Sequence, residues 1–147
     1  MWSQSQKYRL ALEKEILARE MPQFRFCNLS SDTYVVGKTT TSGRRRWYEL
    51  TLLLPECYPD EMPELYVSSP VTLWKEDGCE TVNDEEVSHS FHTLSNGPDG
   101  CVQICHFKPD LWYPSIALTA VLMKGLLWLE AYEAHLRTGD DIASFLC

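Results

Sequence analysis

Between His92 and Cys105 the chain gathers side chains suited to nucleophilic chemistry: an imidazole at His92, an amide at Asn96, and thiols at Cys101 and Cys105. A thiolate attacks a carbonyl and holds the acyl group as a thioester, which stays activated toward amines where an oxygen ester is a poorer donor. Such a site needs an accessible sulfur on a rigid support and a donor for the tetrahedral oxyanion. Cys101 is the preferred nucleophile because it follows the turn Gly97-Pro98-Asp99-Gly100, whose amides can face an anion and which leaves the sulfur open to solvent. Cys105 is the second candidate; its neighbours Ile104 and Phe107 favour burial, which raises a thiol pKa and blunts it. Asn96 is the candidate oxyanion donor, with a turn residue as the plainer reading. His92 reads as a hydrogen-bonded support for the loop before it reads as a base.

Other chemistries fit these residues less well. Cys101, Cys105 and His106, joined by Cys79, His89 or His92, offer zinc ligands, but the C-x3-C spacing lacks a matching second pair. No protease-type local signature surrounds Cys101. The serious rival is a domain that binds a partner through its grooves and transfers nothing. No cofactor or metal is implied.

The elements that must hold this segment are readable on either side of it. Gln4 to Glu20 is rich in helix formers, with Tyr8, Leu12 and Ile16 as an apolar stripe widened by Leu10 and Leu17. Ser3 and Gln6 form a capping box at its start, and Pro22 stops it. From Phe24 the period drops to two, and short strands follow around Phe24–Cys27 and Tyr34–Val36. Tyr48, Leu50, Leu52 and Leu54 share one face of a strand expected at the sheet centre, and Leu65-Tyr66-Val67 supplies a fourth strand. The pattern predicts an α+β domain: N-terminal helix, four-stranded antiparallel meander, acidic surface loop over residues 75–90, long cysteine-bearing loop, and a final helix. That helix is expected to begin near Pro114-Ser115 and to end at Thr138-Gly139, with Gly139 in a left-handed cap.

The 147 residues are the right length for one domain, 1–147, with 44% hydrophobic and 23% charged residues. Acidic residues outnumber Lys and Arg by 21 to 13, a net charge of −8 that disfavours a general affinity for nucleic acid or anionic lipid. The charge is uneven, at +4 over residues 1–50, −10 over 51–100 and −2 over 101–147. No stretch resembles a signal peptide or a membrane span, so the expectation is a cytoplasmic protein, with no membrane partner, whose six cysteines are thiols.

Element order and residues together resemble the ubiquitin-conjugating enzyme family along essentially the whole chain. Pro55-Glu56-Cys57-Tyr58-Pro59 matches that family's P-x-x-Y-P run after the third strand, His92 the His of its His-Pro-Asn signature, and Trp112-Tyr113-Pro114 its W-x-P. Thr93 and Leu94 stand where the signature has Pro and Asn. Cys101 lies nine residues after His92, and Cys101-Val102-Gln103-Ile104 looks like the family's C-L-D-I; Cys105 follows an Ile, as the family's cysteine often does, and lies seven residues before Trp112. The final helix is similar to that of bacterial relatives found in anti-phage operons with cyclic-oligonucleotide signalling. The resemblance implies a ubiquitin-conjugating-like fold and a transferase that takes the C-terminus of a partner protein, a cyclic-oligonucleotide synthase, as a thioester and passes it to a lysine. It implies the stand-alone kind, without an adenylating module.

Overall fold

A computed structural model describes residues 1–146, and Cys147 lies outside the described residues. Two helices, α1 (Gln4–Glu20) and α2 (Leu118–Thr138), accompany six strands: β1 (Phe24–Cys27), β2 (Tyr34–Thr40), β3 (Trp47–Leu53), β4 (Glu64–Ser69), β5 (Thr93–Leu94) and β6 (Val102–Ile104). All pair antiparallel in one sheet ordered β1-β2-β3-β4-β6-β5. The sequence reading has four strands; the two extra ones come from the segment read as a loop. They are two and three residues long, too short to show a period; β5 pairs with β6, and the pairing of β6 with β4 is non-local.

β3 alternates as its sequence requires, with Tyr48, Leu50 and Leu52 buried and Leu54 buried just beyond its end. α2 crosses this face at Gly125, where a β-carbon would lie 2.8 Å from Leu65 and 3.1 Å from Leu50. Glycine is needed there because the helix backbone meets the sheet side chains directly.

α1 has the expected bounds and capping box, and of the expected stripe it buries Leu10 and Leu17 but not Tyr8 and Leu12. Leu10, Glu13 and Leu17 face inward, while Tyr8 is 70% and Leu12 53% exposed. Glu13 decides the rotation. Its carboxylate accepts from Arg9 Nε at 3.0 Å and from the Leu118 amide at 3.1 Å, so a side chain of α1 caps the start of α2. Arg9 also donates to the carbonyls of Pro114 and Ile116, at 2.6 and 2.9 Å. α2 therefore begins at Leu118 after Ala117, which has no capping side chain of its own, and not at Pro114-Ser115. A carboxylate at a helix N-terminus satisfies a free amide and complements the helix dipole.

At the other end Gly139 takes the left-handed cap, with φ 80°. Glu133 is buried and accepts from Thr41 Oγ1 and, at 2.8 Å, from Tyr48 Oη, while Glu130 accepts from the amide and hydroxyl of Ser42. Three of these bonds fasten the β2–β3 turn to α2, and the fourth ties β3 to it. No helix among the described residues is long and apolar enough to cross a membrane.

Candidate functional site

The two candidate thiols flank β6 and meet different surroundings. Cys101 is 4% exposed, which corrects the expectation of an open sulfur after the Gly-Pro-Asp-Gly turn. The turn closes on itself: the Gly100 amide donates to the Gly97 carbonyl, and the Cys101 amide to that of Pro98. Gly97 lies flat on the Tyr66 ring, where a β-carbon would come within 2.0 Å of a ring atom. The turn is thereby pressed over Tyr66 and Cys101 as a cover. Burial raises the Cys101 thiol pKa, the Asp99 carboxylate adds to this, and the amides of Cys101 and Gly97 oppose it without overcoming it.

Cys105 is only partly buried and lines a surface cavity of about 130 Å³ with His92, His106, Lys124, Leu127, Trp128 and others. Its thiol pKa is also raised, first by burial, with the ammonium groups of Lys108 and Lys124 acting in the opposite direction. By solvent access, one of the grounds for preferring Cys101, the order of the two thiols is reversed.

His92 supports Cys105 and not Cys101. The Cys105 amide donates to the His92 carbonyl at 3.0 Å, and His92 Nδ1 lies 2.9 Å from the Cys105 carbonyl oxygen. A carbonyl only accepts, so Nδ1 carries a proton, and in the neutral ring Nε2 keeps a lone pair. His92 adopts this position with φ 56°, in the left-handed region that His tolerates better than most residues. The Trp128 indole donates to the Phe91 carbonyl at 2.9 Å and ties the residue before His92 to α2.

Asn96 has another employment. Its side-chain amide donates to the Asn83 carbonyl at 2.7 Å, its backbone amide donates to Glu86, and none of its hydrogen bonds reaches either thiol. The plainer reading as a loop residue fits this geometry better than the oxyanion role. Asn83, which sequence reasoning missed, knots the loops together: it donates to the carbonyls of Val71 and Gly100 at 2.6 and 2.8 Å and accepts from the Leu73 amide. Nothing local marks it, since its partners lie up to 17 residues away.

His106 borders the same cavity and is almost wholly buried. Nε2 donates to the Pro63 carbonyl at 2.7 Å, and Nδ1 has no hydrogen-bond partner among the described residues. Burial pushes its pKa down. Among the described residues no three His, Cys, Asp or Glu side chains come together as a metal set. Compared with known proteins, the chain matches no protein-family model, no curated protein and no solved structure.

Proposed function

We propose that this chain is an acyl carrier and transferase that works through Cys105, on a ubiquitin-conjugating-like fold. The observation that carries the reading is the placement of Cys105: partly exposed in a cavity, with its amide and carbonyl both bonded to His92. That double tie is the rigid support a thioester needs, and the side chains of Leu127 and Trp128 offer an apolar wall to an extended peptide tail. The carboxyl arrives activated from a partner protein. The Cys105 thiolate attacks its carbonyl carbon, the activating group leaves, and a lysine amine later displaces the sulfur. Lys108 and Lys124, whose charges favour the thiolate, favour the tetrahedral oxyanion by the same sign. Following the sequence resemblance, the partner is a cyclic-oligonucleotide synthase donating its C-terminus.

A second reading, a binding module of the same fold that transfers nothing, is favoured by one observation: both thiols lie above their ordinary pKa, so little thiolate is present at neutral pH. Incubation with the candidate partner and its activating system separates the two. An adduct that reductant releases in wild type and Cys101→Ser, and that Cys105→Ser converts to a reductant-resistant ester or abolishes, supports the acyl carrier. Stable association with no covalent species supports the module.

A further inference from the structure

We propose that Lys124 is an acceptor built into the chain, so that an acyl group on Cys105 moves to Lys124 Nζ when no other amine intervenes. This rests on the acyl-carrier reading and names one amine it serves. Lys124 and Cys105 border the same cavity, one from α2 and the other from the end of β6. The ammonium is held over the Phe107 ring, 3.9 Å from its centroid, which fixes the end of an otherwise flexible side chain beside the segment that carries the thiol. Lys75 is held by Glu80 and Glu85, Lys7 and Lys14 lie on α1, and Lys38 lies on β2; none of these borders the cavity.

The step is an S-to-N transfer. The Lys124 ammonium loses a proton, its nitrogen attacks the thioester carbonyl, the C–N bond forms and the C–S bond breaks. The nitrogen gives up a second proton as the C–S bond breaks, Cys105 regains a thiol by taking up one proton, and of the two protons lost by the amine one is released. His92 borders the same cavity, and the neutral ring that donates from Nδ1 to the Cys105 carbonyl has an acceptor at Nε2 for a proton leaving the amine. Fixed proximity makes the transfer effectively unimolecular. The amide product is permanent, cancels the Lys124 charge and leaves the tail in the cavity, so it closes the site after one turnover.

The test uses the full chain and a short apolar peptide carrying a C-terminal alkyl thioester, which charges cysteines by exchange without any activating enzyme. Hydroxylamine then removes thioesters and leaves amides, and mass spectrometry maps both. Wild type is expected to accumulate a hydroxylamine-resistant acyl group on Lys124, and Cys105→Ala to lose it by roughly tenfold or more, the loss of an intramolecular donor. Lys124→Arg is expected to hold a hydroxylamine-sensitive adduct on Cys105. An adduct on Cys105 that never reaches Lys124, or that reaches Lys108 instead, overturns this inference and leaves the acyl carrier standing. Amide on Lys124 to the same extent with and without Cys105 also overturns it. The absence of any adduct on Cys105 overturns both.

Discussion

The ends of α2 and its middle treat their buried polar groups in opposite ways. At the first turn Glu13 is met by Arg9 and the Leu118 amide, and toward the last turns Glu133 is met by Thr41 and Tyr48. In the middle, the cavity edged by Lys124 and Trp128 adjoins a histidine with an unpartnered nitrogen, a second with a spare lone pair, and a thiol with no cap. Groups whose bonds are complete hold the frame, and removing one leaves a buried partner unsatisfied. On the proposed function, groups with capacity left over are where a substrate is met.

The largest effect that would break this division is at Glu13. Glu13→Ala removes the counter-charge of Arg9 and strands the first amide of α2, and is expected to cost about 3 kcal/mol, moderated because Arg9 keeps its bonds to the Pro114 and Ile116 carbonyls and some contact with water. Glu13→Gln keeps an acceptor for Leu118 and should recover part of the loss. Urea denaturation with an unchanged m-value measures both; a cost below about 1 kcal/mol would remove the frame from the comparison. Next come the thiols. Cys101→Ser puts a hydroxyl into the sealed site under the Gly97 turn and should cost about 1–2 kcal/mol, whereas Cys105→Ser, at the cavity edge, should stay within about 0.5 kcal/mol. Equal costs at the two positions would mean that the cavity is no more open than the core.

The same division explains what could be read in advance. The bounds of α1, its Ser3–Gln6 box and the Gly139 cap were legible because each depends on residues a few positions apart. The core face of β3 was legible because alternation is local. The face that α1 buries was legible only in Leu10 and Leu17, because Glu13 turns inward for an amide 105 positions later in the chain. For the same reason the start of α2 was misplaced. Cys101 is buried beside a turn whose Gly97 lies on Tyr66, a contact that turn chemistry does not contain. His92 and Cys105 were identified as candidates, but their pairing comes from the β5–β6 register, and those strands are too short to announce themselves.

Smaller and more specific is the pH dependence at His106. Its pKa is lowered by burial, so the unfolded chain binds the proton more readily than the folded one, and stability rises with pH. Stability is complete above the ordinary histidine value and is lost as pH falls below about 6.5, with a slope of at most about 1.4 kcal/mol per pH unit for one proton. Denaturation curves between neutral and mildly acidic pH should show this slope in wild type and lose part of it in His106→Gln, which keeps a donor for Pro63. An unchanged slope would place the proton uptake elsewhere and return His106 to the satisfied class.

The smallest effect concerns the charge beside the thiol and bears most directly on the middle of α2. Alkylation mapped by mass spectrometry should reach the exposed Cys57 and Cys79 first, Cys105 more slowly and Cys101 only on unfolding. The Cys105 rate should rise with pH through an inflection above the ordinary thiol value, because burial outweighs the two ammonium groups. Lys124→Gln removes one of them and should move the inflection further up, and added salt should shrink the difference between the variants, since the charge lies at an exposed position where ions screen it. A change at the Cys101 rate in the same variant would mean that the substitution loosened the fold; a change confined to Cys105 ties the thiol and the amine electrostatically across one cavity.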